Sequence, residues 1–150
     1  MKLANVHGPE PGLDLGATIW NAFVELLAMS DESDLDPAQR PAQSVFWYES
    51  EVQNGGHLQY FLNRGTAEAR EAVLALRALG ATVHATNLSA ALDRWHAVVR
   101  TPPSSVEEYV EEALEGEFTS YDNKFSVAVP LVDVLQQHLD QNQKLFVAVG

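Results

Sequence analysis

Apolar residues recur at helical spacing along most of the chain, and short glycine- or proline-containing breaks separate the segments. In the first segment, apolar residues fall at relative positions 0, 4, 7 and 8, which is one face of a 3.6-residue period: Ile19, Phe23, Leu26 and Leu27. The same spacing and the breaks predict helices over about residues 14–29, 36–53, 57–63, 67–79, 82–99, 105–115 and 130–142. We therefore predict an all-α fold of about six to seven helices with little or no strand.

Several boundaries of these helices rest on single residues. Asp36-Pro37 resembles a helix start, although Pro41 in the first turns also allows a later one. The Tyr121-Asp122-Asn123 run is turn-like, and residues 125–129 have the alternation of a strand that has no evident partner. Residues 1–12 hold two prolines and two glycines and are expected to form an irregular tail, followed by one domain over residues 13–150.

The charge balance excludes several classes of function. Nine Lys and Arg residues stand against 21 Asp and Glu residues, a net charge of −12. Nucleic acid and anionic membranes require a cationic surface, so we expect this chain to bind neither directly. It has no cysteine, which excludes a disulfide scaffold, a thiolate metal site and a cysteine nucleophile. No apolar run has the length of a signal peptide or a membrane span, which favours a cytoplasmic location.

No arrangement typical of an enzyme is evident. None of the five histidines forms an i, i+4 metal pair, and the chain lacks a nucleophile elbow, a phosphate-binding loop and a dinucleotide fingerprint. Asp93 and His96 lie three residues apart, which suits either a ligand pair or an ordinary surface contact. We predict a non-enzymatic protein without a metal or cofactor.

The segment from Glu49 to Gly65 combines two glycines with a dense set of polar side chains at a helix–turn–helix junction. Its characteristic residues are Glu51, Asn54, Gly55, Gly56, Gln59, Tyr60 and Asn63. One interpretation is that the polar groups satisfy unpaired amides and carbonyls at the two helix ends. The other is a ligand pocket for a small molecule or peptide, lined by side chains between Glu51 and Tyr60. Gly55 or Gly56 is expected to have a positive φ.

This segment, Glu51-Val52-x-Asn54-Gly55-Gly56-x-x-Gln59-Tyr60-Phe61-x-Asn63, resembles the signature of the DNA-mimic protein C-terminal domain family. The resemblance continues over Ala75 to Ala81 and covers about residues 36 to 142. His57 departs from the pattern, where the family usually has phenylalanine. The resemblance implies an all-helical fold, no catalytic residue, and a namesake that is an acidic dimer imitating duplex DNA on the DNA-binding surface of a transcription factor.

A run of glutamates without any basic residue between them follows Arg100. Its members are Glu107, Glu108, Glu111, Glu112, Glu115 and Glu117. Glutamates four apart on a helix lie about 5–6 Å from each other at Cβ, close to the separation of successive phosphates. The run is either a solubilising face or a phosphate mimic that contacts a basic DNA-binding protein. A second acidic cluster, residues 31–36, extends this surface if it lies nearby.

Large aromatic side chains suggest assembly. Trp20, Phe46, Trp47 and Trp95 form more apolar surface than one small core needs to hide, and the family namesake is a dimer. We therefore expect a homodimer.

Overall fold

The structure is a computed structural model that describes residues 1–100, 105–108 and 116–150. Five long helices are described: α1 (Leu15–Met29), α2 (Arg40–Ala78), α3 (Thr82–His96), α4 (Thr119–Val127) and α5 (Leu131–Gln141). Short 3-10 helices cover Glu32–Asp34 and Gln143–Leu145, and two strands are β1 (Ala4–Val6) and β2 (Val147–Val149). The prediction of an all-α fold with little strand is confirmed.

Helix α1 begins and packs as its sequence predicts. The Asp14 carboxylate accepts a hydrogen bond of 2.7 Å from the Ala17 amide, which satisfies one of the unpaired donors of the first turn. The predicted apolar face, including Phe23 and Leu27, is buried.

Helix α2 is the centre of the fold and contacts α1, α3, α4 and α5. It begins at Arg40, so the start at Asp36 is wrong, and residues 37–39 form a turn. Pro41 lies in the first turn, where its missing N–H costs nothing.

The three helices predicted between residues 36 and 79 form this one helical run with two interruptions. The first lies at Gly55 (φ −152°) and Gly56 (φ +75°), and the second at Gly65 (φ +81°). Positive φ at Gly56 confirms the prediction for the Gly-Gly pair, because only glycine adopts that conformation without strain. The interruptions let one run bend around the core instead of leaving it.

The two ends of the described chain meet in a two-stranded parallel sheet. Ala4 pairs with Val147 and Val6 with Val149, and the Val6 side chain is buried. The prediction of an irregular tail is therefore wrong for residues 4–6. The buried Gln39 amide donates hydrogen bonds to the carbonyls of Lys2 and Leu145, which anchors both ends at the start of α2.

Helix α4 corrects two further predictions. Residues 121–123 are helical instead of a turn, and residues 125–127 continue the helix instead of starting a strand. Phe125 packs in the core, whereas Val127 and Val129 are exposed, so the alternation that resembled a strand does not correspond to one buried face. No helix of the described residues is long and apolar enough to cross a membrane.

Candidate interaction site

The motif residues at the first interruption of α2 bond to one another. The Glu51 carboxylate accepts hydrogen bonds from the side-chain amides of Gln59 (3.0 Å) and Asn63 (2.9 Å), and Arg64 Nε lies 3.7 Å from the same carboxylate. The Gln59 side-chain amide also donates to the Glu51 carbonyl oxygen at 3.4 Å. This geometry agrees with the interpretation in which the polar side chains hold the junction together.

The remaining motif residues have unlike environments. Asn54 is exposed, whereas Tyr60 is buried, and burial raises the Tyr60 pKa. The Tyr60 hydroxyl has no hydrogen-bond partner. At Gly56 a Cβ atom would lie 2.6 Å from Oδ2 of Asp122. Glycine is therefore required at this position both by φ and by the close approach of α4.

A buried hydrogen-bond chain at His57 was missed by the sequence analysis. The His57 ring has no exposed surface; its Nε2 lies 2.7 Å from the Tyr48 hydroxyl and its Nδ1 lies 2.6 Å from Asp122 Oδ1. The same Asp122 oxygen accepts from the His57 backbone amide at 2.9 Å. A proton on Nδ1 suits this arrangement, because the carboxylate accepts it while Nε2 accepts from the tyrosine. The chain joins α2 to α4.

The acidic run is described at its two ends. Ser105 accepts a hydrogen bond of 3.1 Å from the Glu108 amide, as expected of a helix N-cap. Glu107 is exposed and Glu108 is partly buried. Glu111, Glu112 and Glu115 lie outside the described residues.

Glu117 differs from the rest of the run. Its carboxylate lies 3.1 Å from Arg94 Nε and forms a two-pronged ion pair with Arg100, whose guanidinium holds the Glu117 pKa below its usual range. The guanidinium of Arg100 also lies 4.3 Å from the centre of the Trp95 ring. The expectation that no basic residue neutralises the run is therefore wrong at Glu117, because arginines distant in sequence fold back onto it.

Most other carboxylates face solvent without a cationic partner. Among the described residues, eleven Asp and Glu side chains are exposed and take part in no ion pair: Glu10, Asp14, Glu25, Asp31, Glu32, Asp34, Glu71, Asp93, Glu107, Asp133 and Asp140. Three arginines, by contrast, are held in ion pairs with partly buried glutamates: Arg64, Arg94 and Arg100. These arginines offset partly buried glutamates and not the exposed carboxylates, which therefore remain without a neutralising partner at the surface.

A groove of about 400 Å³ lies between the first and last parts of α2, beside Trp47. We call it the Trp47 groove. Its apolar lining consists of Pro37, Pro41, Trp47, Leu74, Ala75 and Ala78. Its polar lining consists of Glu32, Arg40, Gln43, Ser44, Glu68 and Glu71. The second acidic cluster of the sequence, residues 31–36, therefore contributes Glu32 to a concave surface.

Polar atoms of the Trp47 groove lack hydrogen-bond partners. Ser44 Oγ and Glu68 Oε2 are buried without a hydrogen-bond partner, and Glu68 Oε2 has only the ion pair with Arg64 at 3.7 Å. Burial raises the Glu68 pKa and outweighs the opposing charge of Arg64, and the charges of Glu71 and Glu32 make smaller contributions that raise it further. Among the residues that the structure describes, no group of three or more His, Asp and Glu side chains could hold a metal ion.

The comparisons with known proteins agree with the motif. A family model described as DMP19-like protein matches residues 33–147, which includes all of α2 and the junction. No curated protein and no solved structure matches the chain.

Proposed function

Because this chain belongs to the DMP19-like protein family, we propose that it is a non-enzymatic, acidic protein-interaction domain. Its partner is a basic, DNA-binding protein, whose DNA-binding surface it occupies in place of duplex DNA. The family resemblance suggests this role, and the distribution of charge on the surface supports it.

The observation that carries the proposal is that several arginines form ion pairs with glutamates of the same chain, whereas the exposed carboxylates of the described residues do not. Arg64, Arg94 and Arg100 form ion pairs with glutamates that are themselves partly buried. The exposed carboxylates are left without such partners. A surface of this kind attracts a cationic groove over distances up to a Debye length, about 8 Å at physiological salt.

The acidic run contributes the phosphate-like spacing. On a helix, neighbouring carboxylates at i and i+4 lie about 5–6 Å apart at Cβ. Glu107 begins this run in an exposed position. Glu117 belongs to the Arg94–Arg100 cluster, so we assign the partner contact to residues 107–115 together with the second acidic cluster.

Three expectations from the sequence stay predictions: a homodimer, a cytoplasmic location, and a ligand pocket between Glu51 and Tyr60. The aromatic residues that suggested a dimer are less exposed than expected. Trp20, Phe46 and Trp95 are partly buried and pack against the core. Ligand binding at the motif would have to displace the hydrogen bonds of Glu51 with Gln59 and Asn63.

The proposal is tested by competition with DNA. The protein is immobilised, basic proteins are captured from the source organism at low salt, and each captured protein is purified and assayed for duplex binding. We expect at least one to bind duplex DNA, and duplex DNA to release it from this protein. If every captured protein stays bound in the presence of saturating duplex, the proposal is wrong.

Two matched variants locate the contact. In the first, Glu107, Glu111, Glu112 and Glu115 are changed to glutamine. In the second, four acidic residues elsewhere are neutralised: Glu10, Glu25, Asp93 and Asp133. Both variants lose four negative charges. We expect the first to weaken partner binding much more than the second, and equal losses would contradict the assignment of the contact to the acidic run.

A further inference from the structure

We propose that the Trp47 groove is a receptor for an arginine side chain presented by the basic partner. The proposal rests on the proposed function, because the arginine belongs to the protein that the acidic surface attracts. It adds a specific pocket to an interaction that charge alone would leave without a defined orientation.

The groove has the charge and surface that a guanidinium requires. Three carboxylates line it, those of Glu32, Glu68 and Glu71, against the single guanidinium of Arg40. The Arg40 Nε atom already donates to the carbonyls of Glu32 and Leu35, at 3.2 and 3.0 Å. An entering cation therefore meets an excess of negative charge beside an aromatic wall.

Free acceptors in the groove outnumber free donors. Gln43 is 8% exposed and donates its amide hydrogens to the Leu27 and Ser30 carbonyls, so it offers no free amide donor to the groove. Ser44 Oγ and Glu68 Oε2 have no hydrogen-bond partner, although Glu68 Oε2 lies 3.7 Å from Arg64 Nε in an ion pair. A buried oxygen without a hydrogen-bond donor is unfavourable, and an entering N–H group that reaches it supplies the missing hydrogen bond.

A guanidinium suits this surface better than an ammonium. It has five N–H donors in one plane, it is weakly hydrated, and it stacks on aromatic rings. The ammonium of lysine is a compact, strongly hydrated charge, so it gains less beside tryptophan and proline side chains. The groove therefore favours arginine over lysine, although both carry the same charge.

The chain's own arginines show that the fold accommodates such contacts. The Arg64 guanidinium lies 3.9 Å from the centre of the Trp47 ring, and its Nε lies 3.7 Å from Glu68. Arg64 lines a neighbouring cavity of about 260 Å³, which shares Trp47 and Glu68 with the groove, but it does not line the groove itself. The groove thus offers the same two side chains to a second, external guanidinium.

The test uses two exposed apolar residues as a matched pair. Leu74 lines the groove and Val83 lies on α3 outside it, and each is 65% exposed. Leu74→Lys and Val83→Lys add the same charge without opening the core. Calorimetric titrations compare a short glycine–arginine peptide, its lysine and citrulline counterparts, and free agmatine.

We expect the arginine peptide to bind about tenfold more tightly than the lysine peptide, and the neutral citrulline peptide to bind hardly at all. Leu74→Lys is expected to abolish the preference for arginine, whereas Val83→Lys leaves it in place. Equal binding of arginine and lysine peptides, or equal effects of the two variants, would overturn the proposal. Agmatine that binds as tightly as the peptide would also overturn it, because the groove would then be a small-molecule site.

These outcomes are separate from those of the competition with DNA. If duplex DNA displaces a captured partner but the peptides show no preference for arginine, the groove is not an arginine receptor. The proposed function is then unaffected. If the peptides show a preference for arginine that Leu74→Lys removes, but DNA displaces no captured partner, the proposed function is rejected. The groove then remains a guanidinium-binding site.

Discussion

The imidazole of His57 and the carboxylate of Asp122 lie 2.6 Å apart at Nδ1 and Oδ1, although 65 positions separate them in the chain. This hydrogen bond joins the interruption of α2 to α4, and the Tyr48 hydroxyl extends it into the core at 2.7 Å. The histidine is fully buried, and Asp122 is 38% exposed at its side chain. The buried ring therefore links the Tyr48 hydroxyl in the core to the partly exposed carboxylate of Asp122.

Replacing His57 by phenylalanine is expected to destabilise this chain. The ring volume is nearly kept, but the buried Tyr48 hydroxyl loses its partner, at a cost of about 1–3 kcal/mol. The Asp122 carboxylate also loses a hydrogen-bond partner, but this loss costs less free energy because water can reach the carboxylate. Urea unfolding measures the loss, and the double variant Tyr48→Phe with His57→Phe is expected to recover most of it. A single variant as stable as wild type would contradict the hydrogen-bond chain.

Two glycines with similar φ separate backbone strain from steric contact. Gly65→Ala meets no atom within 4 Å, so its cost is the strain of positive φ, about 1 kcal/mol. Gly56→Ala has the same strain and also places Cβ 2.6 Å from Asp122 Oδ2. We expect Gly56→Ala to lower the free energy of unfolding clearly more than Gly65→Ala. Equal losses would mean that the junction yields to the added methyl group.

Stability is expected to fall as the pH decreases through about 6.5. Burial lowers the pKa of His84 and His138 below their ordinary value of 6.5. Just below pH 6.5 these histidines therefore bind protons in the unfolded chain but stay neutral in the folded chain, which favours unfolding. The loss ends below the folded-state pKa values. His138→Phe keeps the ring contact with Phe146 and is expected to reduce the slope, whereas the exposed His96→Gln is not. If the free energy of unfolding changes with pH by the same amount between pH 5 and 8 in wild type, His138→Phe and His96→Gln, this expectation is wrong.

Glu68→Gln is expected to stabilise the protein at neutral pH. The raised Glu68 pKa means that the folded state disfavours the ionised carboxylate relative to the unfolded state, mainly through burial. Glutamine removes that penalty, and the advantage shrinks as the pH falls through the raised folded-state pKa and is gone below the ordinary value of 4.5, where the carboxyl is protonated in both states. Thermal unfolding checks this against Glu25→Gln, which is exposed. A lower Tm of Glu68→Gln at pH 7 would show that the Arg64 ion pair outweighs burial.

Local patterns predicted the helices well. The extent of α1, its buried face and the positive φ of Gly56 all follow from residues within one or two turns of each other. Pro41 also allowed the later start of α2 that the structure has. These features depend on short-range backbone chemistry, which a sequence displays directly.

Long-range contacts were not predictable in the same way. β1 finds its partner at the other end of the chain, and Asp122 reaches His57 from a segment that resembled a turn. Arg94 and Arg100 fold back onto Glu117, so its charge is neutralised by residues outside the acidic run. In each case the sequence contains both residues, but it does not show that they lie close together in the fold.

The Trp47 groove shows the same limit. Glu32, Trp47 and Glu68 belong to three segments that were interpreted separately, and only the bend of α2 brings them to one cavity. The motif itself predicted the junction correctly, because its polar residues are spaced to meet across the interruption. The sequence indicated where the chain bends, and the structure shows which residues the bend brings together.

The salt dependence of partner affinity tests the central claim most directly. The dissociation constant of the complex with the captured DNA-binding protein is measured between about 50 and 200 mM salt, for wild type and for the variant with Glu107, Glu111, Glu112 and Glu115 changed to glutamine. A DNA-like acidic surface predicts steep weakening with salt for wild type and a flatter slope for the variant. A wild-type affinity that does not change with salt, or an unchanged slope in the variant, would contradict the account.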